Sequence, residues 1–453
     1  MTDQRIRFIS KPASEMNGQI RVPGDKSISH RSIMLGALAE GRTEVTGFLE
    51  GEDSLNTLRC FRAMGVAITE PKAGYVCIDG VGLHGLRAPK EPLYVGNSGT
   101  SMRLMAGILA GQRFDSTLTG DASLSKRPMK RIIDPLEQMG AVIESGEGGR
   151  SPLTIRGSDK PLRALNYQLP MASAQVKSCV LLAGLYAQGK TCVTEPAPTR
   201  DHTERMLQGF GIGIETQGSQ CCLTESDLEQ RKLTATQIDV PADISSAAFF
   251  LVAASIAGSG AVTLKHVGMN PTRTGVIDIL KAMGADITIK NACEVGGEPV
   301  ADLIVRPAQL HGIEIDEALV PLAIDEFPVL FIAAACARGR TVLTGAEELR
   351  VKESDRISVM ADGLQQLGVD ATPTADGMII EGQGDKRAVF GAGCIGAQGD
   401  HRIAMAFAVA GLRSQEHIII DDCQFVETSF PGFADLFNQI GGRLETQPMP
   451  TEP

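Results

Sequence analysis

Gly65-Val66-Ala67-Ile68-Thr69, Gly140-Ala141-Val142-Ile143-Glu144, Gly211-Ile212-Gly213-Ile214-Glu215, Gly284-Ala285-Asp286-Ile287-Thr288, Gly368-Val369-Asp370-Ala371-Thr372 and Gly441-Gly442-Arg443-Leu444-Glu445 are six versions of one short text. Each follows an amphipathic stretch and passes from a glycine into a strand-forming run. The spacing is about 75 residues, which marks an internal repeat. A glycine in that slot fits the C-terminal stop of a helix, where a positive φ costs it least.

Each repeat also carries a second, Ala/Gly-rich apolar helix, predicted over 29–39, 101–110, 174–187, 246–257, 327–337 and 402–412. A strand of the Gly-x-Thr-x-Val-Thr kind follows in several repeats, near 42–47, 189–194 and 339–345. Next comes the amphipathic helix, with apolar residues three or four apart, as in Ile357, Met360, Leu364 and Leu367. Pro135 inside the second of these is expected to kink or shorten it. Helices alternating with strands predict an α/β protein. Because the apolar helices are poorly amphipathic, they should be surrounded, with helices inside and sheets outside.

A chain of 453 residues is too long for one core and suits two domains. Three repeats would make each domain. Val22-Pro23 and Val240-Pro241 sit at matched points, so the expected division is 23–240 for one domain and 1–22 with 241–453 for the other. Hinges are expected near 22–24 and 239–242, with the tail 446–453 disordered.

No apolar run reaches the ~18–20 residues that span a bilayer, and no secretory signal is evident at the start of the chain. The ten cysteines are scattered without a Cys-x-x-Cys, which predicts buried, reduced thiols in a cytoplasmic protein. No metal-ligand spacing is present, so neither a structural nor a catalytic metal is expected. A net charge of −11 and the absence of Trp argue against a nucleic-acid partner.

An acidic protein that binds an anion must concentrate its cations locally. Here they gather at helix entrances: Gly24-Asp25-Lys26-Ser27 with Arg31, Asn97-Ser98-Gly99-Thr100 with Arg103, Ser125-Lys126-Arg127, Ser173-Ala174-Gln175-Val176-Lys177, Arg200-Asp201-His202-Thr203-Glu204, Asn270-Pro271-Thr272-Arg273, Lys352-Glu353 with Arg356, and Gly399-Asp400-His401-Arg402. Helix N-termini offer free N–H groups and about half a positive charge, so they attract phosphate and carboxylate. Ordinary structural roles are also open to these residues. Ser27, Ser173 and Asp325 could cap helices, the histidines could be hydrogen-bonded core residues, and Lys352-Glu353 could be a solvated pair. Their recurrence in one structural slot favours a shared site.

With these motifs the chain resembles, over essentially its full length, the 5-enolpyruvylshikimate-3-phosphate synthases, also called 3-phosphoshikimate 1-carboxyvinyltransferases. The stretches beginning at Gly24, Ser173, Arg200 and Asn270 look like the four signatures of the family's class II. The resemblance implies two inside-out α/β domains of three βαβαββ units each, with an active site in the cleft between them. It implies transfer of the enolpyruvyl group of phosphoenolpyruvate to the 5-hydroxyl of shikimate 3-phosphate, without metal or cofactor, by a monomer.

Shikimate 3-phosphate would be held by Lys26, Ser27, Arg31, Ser173, Ala174, Gln175, Arg200, Asp325 and Lys352. Phosphoenolpyruvate would be held by Lys26, Gly99, Arg127, Gln175, Arg356 and Arg402. Asp325 would take the proton of the 5-hydroxyl and Glu353 would protonate the methylene carbon, though the two carboxylates could exchange these duties. Lys26 would stabilise developing charge. Gly99 argues for glyphosate sensitivity and the class signatures for tolerance, which leaves that response open.

Two rivals use the same scaffold. The related transferase acting on UDP-N-acetylglucosamine needs a loop cysteine, and Ser123-Leu124-Ser125-Lys126-Arg127 has none. A non-catalytic phospho-ligand binder would not need both Asp325 and Glu353. A nucleotide kinase is disfavoured by the absence of a Gly-x-x-x-x-Gly-Lys-Ser/Thr loop.

Overall fold

A computed structural model describes residues 5–224 and 230–449. The protein is α/β, as its alternating pattern predicts. It divides into two compact units. One, here the N-unit, comprises Gly24–Val240 and Val295–Glu298; the other, the C-unit, comprises Met1–Pro23, Pro241–Glu294 and Pro299–Pro453.

The N-unit contains helices α1 (Lys26–Leu38), α2 (Glu52–Ala63), α3 (Gly99–Leu109), α4 (Lys130–Gln138), α5 (Ala174–Gly184) and α6 (His202–Gly209). The apolar helices α1, α3 and α5 are buried along most of their length, and α3 packs against both α1 and α5. Short sheets line them. In the sheet beside α1, Ala39–Thr46 pairs antiparallel with Val76–Val81, so that Val45, Val76 and Ile78 turn inward while Glu40 and Arg42 stay exposed.

In the C-unit, α7 (Ile244–Ile256) is buried on every side. Then follow α8 (Gly275–Ala282), α9 (Val320–Ala323), α10 (Phe327–Ala335), α11 (Arg356–Gln366), α12 (His401–Ala410), α13 (Val426–Ser429) and α14 (Phe433–Gln439). Helices α7, α10 and α12 pack on one another in a single apolar cluster. Such all-round burial accounts for the lack of an apolar stripe in their sequences. Among the described residues, no helix is long and apolar enough to cross a membrane.

All six marker glycines have positive φ, from +83° at Gly368 to +109° at Gly441. At Gly441 an added Cβ would also stand 2.3 Å from the Glu15 carbonyl oxygen, so this glycine is required twice over.

Two expectations fail. Cys192 and Cys222 are joined by a disulfide; they lie opposite each other on antiparallel strands with Cα atoms 4.1 Å apart, a proximity that 30 residues of separation conceal in the sequence. The tail is ordered through Met449: Leu444–Pro448 pairs with Ile6–Ser10, and Met449 N–H donates to the Arg5 carbonyl. Residues 450–453 lie outside the described residues. Helix α4 runs through Pro135, which lacks the N–H that would ordinarily bond the carbonyl of Arg131.

Close helix packing makes a measurable demand. A Cβ at Gly107 in α3 would stand 2.3 Å from the Cys179 carbonyl oxygen in α5, whereas one at Gly209 in α6 would meet nothing within 4 Å. Gly107→Ala is therefore expected to destabilise by about 1–3 kcal/mol or more through overpacking. Gly209→Ala should be neutral or stabilising by up to about 1 kcal/mol. Thermal unfolding checks the pair, and equal shifts would mean that contact at Gly107 does not matter.

Candidate active site

The N-unit gathers polar groups at the starts of α1, α3, α5 and α6. Asp25, not Ser27, caps α1, its carboxylate accepting from Ile28 N–H at 2.9 Å. Lys26 and Ser27 are thus the first two helical residues. The turn before them is tight: a Cβ on Gly24 would lie 1.8 Å from the Gly47 carbonyl oxygen. Lys26 is ion-paired with Asp53, a buried carboxylate in the first turn of α2.

Arg31, one turn further along α1, is 4% exposed. Its Nε donates to Thr203 Oγ1 at 2.7 Å, Nη2 to Ser178 Oγ at 3.0 Å and Nη1 to the Ser27 carbonyl at 2.9 Å. Burial pushes its pKa down to about 10 against the pull of Glu204 and Asp25, which leaves it charged at neutral pH. Arg200 adds to that depression, which places its positive charge in the electrostatic neighbourhood of Arg31. His30, fully buried behind them, is held well below its ordinary pKa by burial and by Lys26 and Arg31. It bonds Thr57 at 2.8 Å as a structural residue.

Gly99 opens α3 behind the cap Ser98. A Cβ on Gly99 would stand 2.7 Å from Arg103 Nη1 and 3.6 Å from Arg127 Nη1, so two guanidinium groups converge on bare backbone. Arg127 Nη2 donates to Asn97 Oδ1 at 2.7 Å, and Asn97 in turn donates to Asp121 at 2.7 Å. Arg103 donates to Gln175 Oε1, and Gln175 donates to Thr100 Oγ1 at 3.0 Å. Ser173 caps α5, with Ala174 its first residue. The entrances of α3 and α5 are therefore tied side chain to side chain.

The C-unit holds the second cluster, centred on Arg356 at the start of α11 and 1% exposed. Its guanidinium binds three carboxylates: Asp400 at 2.8 Å, Glu353 at 2.6 Å and Asp325 at 3.4 Å. Burial opposes charge on Arg356, but Asp400, Glu353 and Asp325 outweigh it and raise its pKa. Lys352 Nζ lies 3.5 Å from Asp325 and 2.9 Å from Glu348. Arg402 Nη1 donates to the Asp325 backbone carbonyl at 2.9 Å. Asp325 does not cap α10; Glu326 holds the cap position without a capping bond to the helix backbone, its carboxylate accepting from Ser245 Oγ, and the Asp325 carboxylate turns to Arg356 and Lys352 instead.

Each sequence-predicted residue thus falls in one of two clusters. Lys26, Ser27, Arg31, Gly99, Arg127, Ser173, Ala174, Gln175 and Arg200 belong to the N-unit, and Asp325, Lys352, Glu353, Arg356 and Arg402 to the C-unit. Three partners escaped the sequence reading of roles: Asp53 beside Lys26, Arg103 beside Gly99, and Asp400 beneath Arg356. Asp400 caps α12 as well, accepting from Arg402 N–H at 2.9 Å. Its place in Gly399-Asp400-His401-Arg402 was the available signal. Among the described residues, no group of three or more His, Cys, Asp or Glu side chains is arranged to hold a metal ion.

Comparison with known proteins agrees across sequence and structure. Residues 10–437 match the family model described as EPSP synthase (3-phosphoshikimate 1-carboxyvinyltransferase). Proteins described as 3-phosphoshikimate 1-carboxyvinyltransferase from Alkalilimnicola ehrlichii and Methylococcus capsulatus are 65% and 61% identical, covering 97% and 98% of this chain and 96% and 100% of theirs. A solved EPSP synthase structure from Acinetobacter baumannii is similar at a TM-score of 0.89 and 58% identity, over 98% of this chain and 100% of that one.

The carboxylates around Arg356 give the C-unit an acid-sensitive core. Burial pushes Asp400 toward its neutral form, but Arg356 prevails and the carboxyl ends below its ordinary 3.8. A carboxyl depressed on folding contributes stability above its unfolded pKa and loses it as the pH falls through the folded one. Asp400→Asn is expected to cost about 3–5 kcal/mol at neutral pH. In thermal unfolding the gap to wild type should narrow once the pH drops below 3.8. A gap that stays constant down to about pH 2 would mean that ionisation of Asp400 contributes nothing.

Proposed function

The chain belongs to the EPSP synthase family, and from that premise we propose how its two residue clusters divide the family's reaction. It is an enzyme of the shikimate pathway with 3-phosphoshikimate 1-carboxyvinyltransferase activity, and its substrates are shikimate 3-phosphate and phosphoenolpyruvate. The observation that carries the division is the pairing of Asp325 and Glu353 on one buried guanidinium, with Lys352 beside Asp325.

Each substrate carries a carboxylate and a phosphate. Two like charges 4 Å apart repel by about 4 kcal/mol at an effective dielectric of 20, so the pair cannot be assembled without cations. In this reading shikimate 3-phosphate is held by Lys26, Ser27, Arg31, Ser173, Ala174, Gln175 and Arg200, with Asp325 and Lys352 added from the C-unit. Phosphoenolpyruvate is held by Lys26, Gly99, Arg127 and Gln175, with Arg356 and Arg402. Convergence of Arg103 and Arg127 on Gly99 supports an anion at that turn, where a methyl group would crowd it. Arg356 already binds three carboxylates, so engaging a substrate requires it to exchange one of them.

The 5-hydroxyl oxygen bonds to C2 of phosphoenolpyruvate as its proton passes to Asp325, and Glu353 protonates C3 to give a tetrahedral adduct. Glu353 then removes a C3 proton as the C2–O bond to phosphate breaks and the proton held by Asp325 passes to the departing phosphate. This forms the enol ether, releases inorganic phosphate and returns both carboxyls to their starting states. Lys26 and Lys352 offset charge on the bridging and phosphate oxygens. Binding pairs such as Arg356–Glu353 keep the proton carriers at fixed positions, which is what general acid–base chemistry requires.

The same reading takes the fold as the family's inside-out arrangement of three βαβαββ units per domain, supported by the recurring positive-φ glycines. It takes the protein as a cytoplasmic monomer of class II, with segments near 22–24 and 239–242 as hinges that let the two clusters meet on the substrates. Phosphate release is expected only when shikimate 3-phosphate and phosphoenolpyruvate are both present, and not with UDP-N-acetylglucosamine as acceptor. Asp325→Ala and Glu353→Ala should each lower kcat by roughly 10²–10⁴-fold and weaken substrate binding far less. If both retain near-wild-type turnover, the assignment of the carboxylates is wrong. Shikimate 3-phosphate should also reduce the radius of gyration in small-angle scattering; an unchanged radius counts against hinge closure.

A further inference from the structure

Lys177, Thr203 and Glu204 lie in two of the motifs quoted above, yet none has a part in the reaction as described. All three are buried. Lys177 is 1% exposed, and a lysine so placed needs partners. Its Nζ lies 2.7 Å from Glu204 Oε1 and 2.9 Å from Glu195 Oε1. Burial opposes its charge, but Glu204 and Glu195 prevail and raise its pKa. Replacing such a buried ion cluster whole with well-packed apolar side chains is often neutral or stabilising, so stability alone does not call for it.

The second oxygen of Glu195 points to a different use. Glu195 Oε2 accepts a hydrogen bond from Thr199 Oγ1 at 2.5 Å. Thr199 immediately precedes Arg200, in a stretch with neither helix nor strand between Cys192–Thr194 and α6. A chain of contacts therefore runs from α5 through Lys177 and Glu195 to Thr199 and the backbone that carries Arg200. A parallel tie, Arg31–Ser178–Thr203, fixes α6 to α1 and α5, with Thr203 Oγ1 donating to Ser178 Oγ at 2.7 Å. Both ends of the stretch that carries Arg200 are thereby anchored to the helices bearing Lys26, Arg31 and Gln175.

We propose that Lys177 and Glu195, acting through the Thr199 hydroxyl, are positioning residues that hold Arg200 for the phosphate of shikimate 3-phosphate. This rests on the assignment of Arg200 made above. Without the clamp the backbone that carries Arg200 is held less firmly, so affinity for one substrate falls while the proton transfers proceed.

The test is a kinetic cycle on Thr199 and Arg200. Thr199→Val keeps the shape and removes the hydroxyl; it is expected to raise KM for shikimate 3-phosphate about three- to tenfold. The KM for phosphoenolpyruvate and kcat should stay near wild type, and Thr199→Ser should restore the wild-type value. In an Arg200→Ala background, Thr199→Val should add nothing, because the group it positions is gone. Lys177→Met should give the same selective rise in KM; if it fails to fold, the Thr199–Arg200 cycle decides. The proposal is overturned if Thr199→Val leaves KM for shikimate 3-phosphate unchanged, or if its effect persists in full beside Arg200→Ala. If Arg200→Ala itself leaves that KM unchanged, the assignment of Arg200 fails first and the positioning role with it.

Discussion

Positive charge that is buried and still kept ionised is the constraint on which the rest of this structure depends. A ligand with several negative charges needs cations sheltered from water, and desolvation works against each of them. The protein answers with local counter-charge. Lys177 has two glutamates and Arg356 has three carboxylates, and the half-buried Lys26 is paired with Asp53. Arg31 relies on hydroxyl and carbonyl acceptors, with Glu204 and Asp25 acting at a distance. This helps to explain how a chain of net charge −11 can serve anionic substrates: some of its acidic residues keep its basic ones loaded.

The same constraint explains why these groups stand at helix starts. A helix entrance supplies unsatisfied N–H groups and a fixed direction for the first side chains. Asp25, Ser98, Ser173, Asp355 and Asp400 each cap a helix with a side-chain acceptor and leave the next residues pointing out of the turn. In the C-unit, Asp400 does two things at once, fixing the backbone of Arg402 and the guanidinium of Arg356. Capping and charge compensation are here one device.

Much of this was legible in the sequence because it is local. The marker glycines mark chain reversals that need positive φ, and apolar runs without a polar stripe mark helices buried all round. What stayed hidden is non-local. Nothing near Lys26 in the sequence indicates that Asp53 is its partner, and Cys192 gives no sign of Cys222 across a strand pair. Asp325 looked like a cap because it precedes an apolar helix; Arg356, far along the chain, draws it elsewhere. The tail 446–453 looked disordered because it is terminal, yet Leu444–Pro448 forms an edge strand, where polar residues such as Thr446 and Gln447 belong.

That edge strand has a consequence for how the protein is made. Ile6–Ser10 is paired on both sides, with Ile418–Asp421 and with Leu444–Pro448, so this strand is completed by segments synthesised long after it. At ordinary elongation rates it waits for its neighbours for roughly 20–90 s, with unsatisfied backbone groups on each edge. The N-unit draws nearly all of its residues from Gly24–Val240 and can gather its own core during that interval. The C-unit cannot complete this sheet until Leu444–Pro448 has been made, and until then its first strand lacks one or both of its neighbours.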